Sequence, residues 1–123
     1  MLQHLEIKLK RGRNVMNCLV HSVLFKFYNN TTEEQKQKAH RIYQTLHEEC
    51  GGKEAGILAW QVDWNVDQRK GWTLVQLGVF TDNDALQRYR LHPRHQEVAK
   101  FMSVISDWVI GDILVPAEDL KSL

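Results

Sequence analysis

The chain has 123 residues, 43% of them hydrophobic, with 16 basic against 15 acidic residues and a formal charge of +1. That length suits one domain with one core, and the even charge argues against the basic excess with which nucleic-acid binders hold phosphates. No apolar run reaches the ~18 residues of a membrane helix. Two cysteines, Cys18 and Cys50, are too few for a disulfide framework, so they read as buried free thiols of a cytoplasmic protein.

Residues 1–16 read as an N-terminal extension, 17–116 as the domain and 117–123 as a loosely held acidic tail. The extension is basic (Lys8, Lys10, Arg11, Arg13) and lacks the apolar segment of a secretory signal. Met16 offers an alternative start. Leu5, Ile7 and Leu9 alternate with polar residues, which instead suits an added edge strand.

The first firm strand runs from Leu19 to Tyr28, with His21, Val23, Phe25 and Phe27 on one face and Val20, Ser22, Leu24 and Lys26 on the other. Thr32 to Gln35 spells a capping box. The helix after it buries Ala39, Ile42, Tyr43, Leu46 and Cys50 at helical spacing and ends at Gly51-Gly52. Two strands follow, Gly56 to Trp64 and Trp72 to Phe80, joined by a polar loop. In the first, Leu58, Trp60, Val62 and Trp64 share a face; in the second, Thr73, Val75, Leu77 and Val79 do. Asp82 and its neighbours open a second helix with Ala85, Leu86 and Tyr89 on its apolar face. His92-Pro93 interrupts it and starts a third, which buries Val98, Phe101, Met102 and Ile105. The last strand spans Trp108 to Val115 and stops at Pro116.

Strand, helix, strand, strand, helix, strand is the ferredoxin-like split βαβ order of an α+β fold with a four-stranded antiparallel sheet. Helices on one face leave the other bare, although it carries Val20, Leu24 and a tryptophan. An apolar patch of that size marks an interaction surface, and two sheets meeting face to face would bury it in a homodimer.

Two stretches carry a family resemblance. One is His21-Ser22-Val23-Leu24-Phe25-Lys26-Phe27 with the capped helix after it. The other is Phe80-Thr81-Asp82-Asn83-Asp84-Ala85-Leu86 running into Tyr89-Arg90-Leu91-His92-Pro93-Arg94-His95. With Trp60, Asp63 and Gly71 they make residues 18–115 resemble the stress-responsive A/B barrel family of dimeric α+β barrels. The resemblance implies two sheets facing as a barrel, and a ligand cavity in each protomer between its own sheet and helices. In family members such as the plant polyketide cyclases, the tyrosine and second histidine of this string carry acid/base chemistry. Those positions are Tyr89 and His95 here. The same resemblance places His21, Val23, Phe25, His40, Tyr43 and Leu74 around the ligand. Leu74 stands where the cyclases have a third-strand histidine.

Histidine takes and returns a proton near neutral pH, and a neighbouring tyrosine can polarise a carbonyl. Tyr89 equally suits a core tyrosine, His95 a local hydrogen bond, and His21 a satisfied core histidine. His92 suits a helix cap. The reading is a cofactor-independent lyase, cyclase or isomerase acting on a small hydrophobic carbonyl compound, with no metal, nucleic acid or membrane partner. The alternative is a non-catalytic dimer that binds a small hydrophobic molecule under stress. A third reading, a haem- or quinol-directed monooxygenase, would use His40 as the haem ligand.

Overall fold

Strand β1 (Asn17–Phe27) organises the molecule because it pairs on both sides, antiparallel to β3 and to β4. The computed structural model describes residues 16–120. After β1 come α1 (Glu33–Glu49), a 3₁₀ turn (Gly52–Ala55), β2 (Ile57–Trp64), β3 (Leu74–Phe80), α2 (Asn83–Leu91), α3 (Pro93–Ile105), β4 (Ser106–Pro116) and the short α4 (Ala117–Leu120). The sheet order is β2-β3-β1-β4, all antiparallel. This is the expected α+β, ferredoxin-like arrangement.

Local chemistry accounts for the helix limits. The Thr32 hydroxyl accepts from the Gln35 backbone N–H at 3.1 Å, and the Thr32 N–H donates to Gln35 Oε1 at 2.9 Å, so two orphan donors of α1 are satisfied. Gly51 ends it at φ 107°, where a Cβ would also lie 2.6 Å from that of Ala55. Asp82 caps α2 by accepting from Ala85 N–H at 2.8 Å. His92 caps α3: its Nδ1 accepts from the Arg94 N–H at 3.1 Å, and Pro93 fills the first turn.

The three long helices cover one face of the sheet. α1 buries Ala39, Tyr43 and Leu46, α2 buries Ala85, Leu86 and Tyr89, and α3 buries Val98, Met102 and Ile105. They pack on Leu19, Val23, Phe25, Leu74 and Phe80 in one core. Each large side chain so buried contributes about 1.5–3 kcal/mol. Cys18 and Cys50 are buried free thiols.

The helix-free face presents Val20 and Leu24 from β1, Val75, Leu77 and Val79 from β3, and Val109 and Ile113 from β4, by their register. Leu77 is 45% exposed, Val109 47% and Ile113 63%. The tryptophan beside Leu24 is Trp72, with the Lys26 ammonium 5.4 Å from its ring centroid. Trp60, Trp64 and Trp108 pack against the core instead.

Three details depart from the sequence reading. A register shift between Ile57 and Ala59 buries Ile57 and leaves Leu58 39% exposed, so Leu58 does not share the face of Trp60. β3 begins at Leu74, not Trp72. Residues 117–120 form a helical turn, and the Ala117 N–H donates to the Met16 carbonyl at 2.8 Å. The edge strand considered over residues 5–9 lies outside the described residues.

Candidate functional site

Register lines up the helix-facing strand residues in rows. One row is Val62–Gln76–Val23–Ile110, the next is Trp60–Gly78–His21–Asp112, and on the other side lies Trp64–Leu74–Phe25–Trp108. Above these rows the helices leave a cavity of about 220 Å³. That is below the ~300 Å³ at which drug-sized pockets begin, so it suits a compact ligand.

The sheet contributes His21, Val23, Phe25, Gln76, Trp108 and Ile110 to its walls. The helices contribute Tyr43, Tyr89, Arg90, His95, Ala99 and Met102. Tyr89 and His95 meet with ring centroids 4.4 Å apart. They come from different helices, because the break at His92-Pro93 turns α3 back beside the end of α2. Tyr89 is further held by Trp60 at 5.6 Å and Phe80 at 5.5 Å.

Hydrogen bonding fixes both imidazoles. His95 Nδ1 lies 3.2 Å from the Arg90 carbonyl oxygen. A carbonyl only accepts, so Nδ1 carries the proton and Nε2 the lone pair. His21 Nδ1 lies 2.5 Å from Asp112 Oδ1, and Asp112 Oδ2 accepts from Arg90 at 3.4 Å. His21 is thereby also an Nδ1–H imidazole, steadied by a carboxylate, with no hydrogen bond to its Nε2 among the described residues.

Burial sets the charge states. Desolvation lowers the proton affinity of His95, the Arg90 carbonyl partly opposes this, and the nearby His21 lowers it again. Desolvation also lowers His21, with Asp112 pulling the other way. Both rings are therefore neutral at pH 7 and able to accept a proton. Burial pushes the Tyr43 and Tyr89 hydroxyls up, so both stay protonated donors. The Cys50 thiol is pushed up to about 11, chiefly by burial, and is not a nucleophile at neutral pH.

Of the residues singled out from sequence, His21, Val23, Phe25, Tyr43, Tyr89 and His95 line the cavity. His40 and Leu74 do not. His40 stacks on Trp64 at 4.7 Å with its Nε2 3.7 Å from the exposed Asp63, because it lies on the flank of α1 that faces β2, where His47 likewise stacks on Trp60. A haem ligand at His40 would lie outside the cavity that holds Tyr89 and His95. Leu74 is fully buried and does not line the cavity, although Phe25 and Trp108 of its row do; Gln76 is the β3 residue that reaches it. Sequence reasoning missed Gln76, Arg90, Asp112 and Ile110. Only Gln76 left a signal, as a polar residue at a core-facing alternation of β3.

The family model described as the stress responsive A/B barrel domain matches residues 19–115. An uncharacterized protein of Streptomyces coelicolor is 27% identical over 93 residues, covering 75% of this chain and 94% of that one. A dimeric ferredoxin-like protein of unknown function from Thermobifida fusca superposes with a TM-score of 0.69 at 15% identity, over 80% of this chain and 92% of that chain. The hydroxynitrile lyase of Passiflora edulis superposes with a TM-score of 0.68 at 15% identity, over 83% and 96%. Likeness at such identity establishes the fold alone.

Proposed function

Starting from the family to which this chain belongs, that of the stress responsive A/B barrel domain, we propose a homodimeric, cofactor-independent enzyme that moves protons on a small, mostly apolar carbonyl compound. The observation that carries this reading is a neutral imidazole, His95, 4.4 Å from a protonated tyrosine, Tyr89, inside an apolar-walled cavity. His95 Nε2 takes a proton from the carbon next to the carbonyl. The Tyr89 hydroxyl donates to the carbonyl oxygen as it gains enolate charge. The imidazolium then returns the proton, either to the same carbon or to a leaving group. General acid–base catalysis contributes about 10²–10⁴-fold, and the apolar walls strengthen it by excluding water. His21, held by Asp112, supplies a second imidazole, whose charge would lower the proton affinity of His95 further.

The dimer rests on the bare apolar face of Leu77, Val109 and Ile113. A second copy of that face covers it with the ~800 Å² per partner of a stable interface. The Thermobifida fusca relative of the same fold is dimeric.

One observation favours a second reading, a dimer that binds its ligand without turning it over: Gln76, the β3 residue in the cavity, transfers no protons. Exchange of the methyl protons of acetophenone for deuterium in heavy water, followed by NMR, separates the two. The enzyme reading expects exchange above the buffer rate, reduced about 10²-fold or more in His95→Ala and more mildly in Tyr89→Phe. Exchange that is identical in wild type and both variants removes the pair from any mechanism.

A further inference from the structure

Gln76 is the anomaly of the cavity. It is fully buried, yet neither its Nε2 nor its Oε1 has a hydrogen-bond partner among the described residues. Which atom is nitrogen does not matter, since both are unpaired. Its row neighbours Val62 and Val23 offer no polar group. Residue 78 is a glycine, and a Cβ there would lie 3.0 Å from Gln76 Nε2 and 3.1 Å from Trp60 and Phe80. The carboxamide head is thus accommodated above Gly78, beside the row that holds His21. A buried amide normally finds partners for both of its ends. Gln76 borders the cavity, but both amide atoms are covered there, so a ligand meets them as the head turns from its seat above Gly78 toward the cavity.

We propose that Gln76 determines specificity and that the ligand is a small neutral molecule carrying a hydrogen-bond donor next to an acceptor on an apolar body. An enolised β-dicarbonyl compound and an uncharged carboxamide are of this class. The inference rests on reading the cavity as the ligand site, but not on proton transfer within it. A carboxamide is both donor and acceptor, so a complementary pair satisfies both of its ends. A carboxylate only accepts; it would leave Oε1 unpaired, and Arg90, the cation in the cavity wall, already bonds Asp112. A hydrocarbon would leave both ends unpaired. The aromatic walls, with Phe25 and Tyr43 5.1 Å apart and Phe25 and Trp108 6.2 Å apart, suit a flat apolar body.

The test is calorimetric titration of the full chain with benzamide, acetophenone and ethylbenzene. These share a phenyl body and carry a donor with an acceptor, an acceptor only, and neither. Wild type is expected to bind benzamide most tightly and ethylbenzene least. Gln76→Leu is expected to weaken benzamide about tenfold or more and to tighten ethylbenzene, which reverses the order. Gln76→Met gives the same comparison should the branched side chain perturb folding. The proposal is overturned if the order is the same in wild type and variant, or if wild type binds no benzamide at millimolar concentration. Benzamide has no proton on a carbon next to its carbonyl, so this result stands apart from the exchange assay. Ligand order can follow Gln76 while His95→Ala leaves exchange unchanged, and the reverse outcome is equally distinct.

Discussion

Replacing Ile113 by aspartate tests the architecture that encloses everything else. Ile113 lies on the helix-free face of β4, paired with Val20, and is 63% exposed in the single chain. Fully burying an isoleucine is worth about 1.5–3 kcal/mol, so covering the exposed part of this one is worth about 1–2 kcal/mol. A two-fold interface counts that contribution twice, giving about 2–4 kcal/mol per dimer. Two carboxylates brought into an apolar interface add several kcal/mol of desolvation. Ile113→Asp should therefore weaken the dimer by about 10³-fold or more, which turns a dimer at micromolar concentration into a monomer. The monomer should still fold, because substitution at an exposed position away from the core costs about 0.5 kcal/mol or less. Sedimentation velocity at 1–50 µM as an order-of-magnitude range, with circular dichroism on the same samples, measures both. Arg41→Asp, on the exposed side of α1, controls for added charge and should remain dimeric. A variant that sediments as a dimer, or a wild type that sediments as a monomer, refutes the face-to-face arrangement.

Lowering the pH should destabilise the protein from about 6.5 downward. His21 and His95 have lowered proton affinities in the folded state, mainly through desolvation, so only the unfolded chain takes up these protons there. Their cost is absent above 6.5, grows as the pH falls, and is complete once the folded-state values are passed; a urea midpoint that stays flat between pH 7 and 5 would contradict this. Asp112→Asn removes the carboxylate that raises the proton affinity of His21, so the His21 titration should move to lower pH by NMR while Tyr89 and His95 keep their contact. Gly78→Ala forces a Cβ against Gln76, Phe80 and Trp60 at 3.0–3.1 Å and should cost about 1–3 kcal/mol, read as a lower melting temperature.

Element order, helix limits and helix faces were legible in the sequence because their causes are local. The Thr32–Gln35 box, Gly51 after α1 and His92-Pro93 between α2 and α3 each act within a few residues. Helical spacing in turn identified Ala39, Tyr43 and Leu46, and then Tyr89, as inward-facing. The meeting of Tyr89 with His95 was legible only through the family string, not from spacing. Tertiary structure decided the rest of the site. Gln76 reaches the cavity and Leu74 does not, although its row neighbours Phe25 and Trp108 do, so the placement of the helices over the sheet decides it. His21 finds Asp112 across 91 residues of chain, through the register of β1 with β4. The bulge after Ile57 shifts the face of Leu58 by one residue, and His40 stacks on Trp64 because its flank of α1 faces β2. Strand register and helix placement are settled by contacts between distant segments, so no local pattern encodes them.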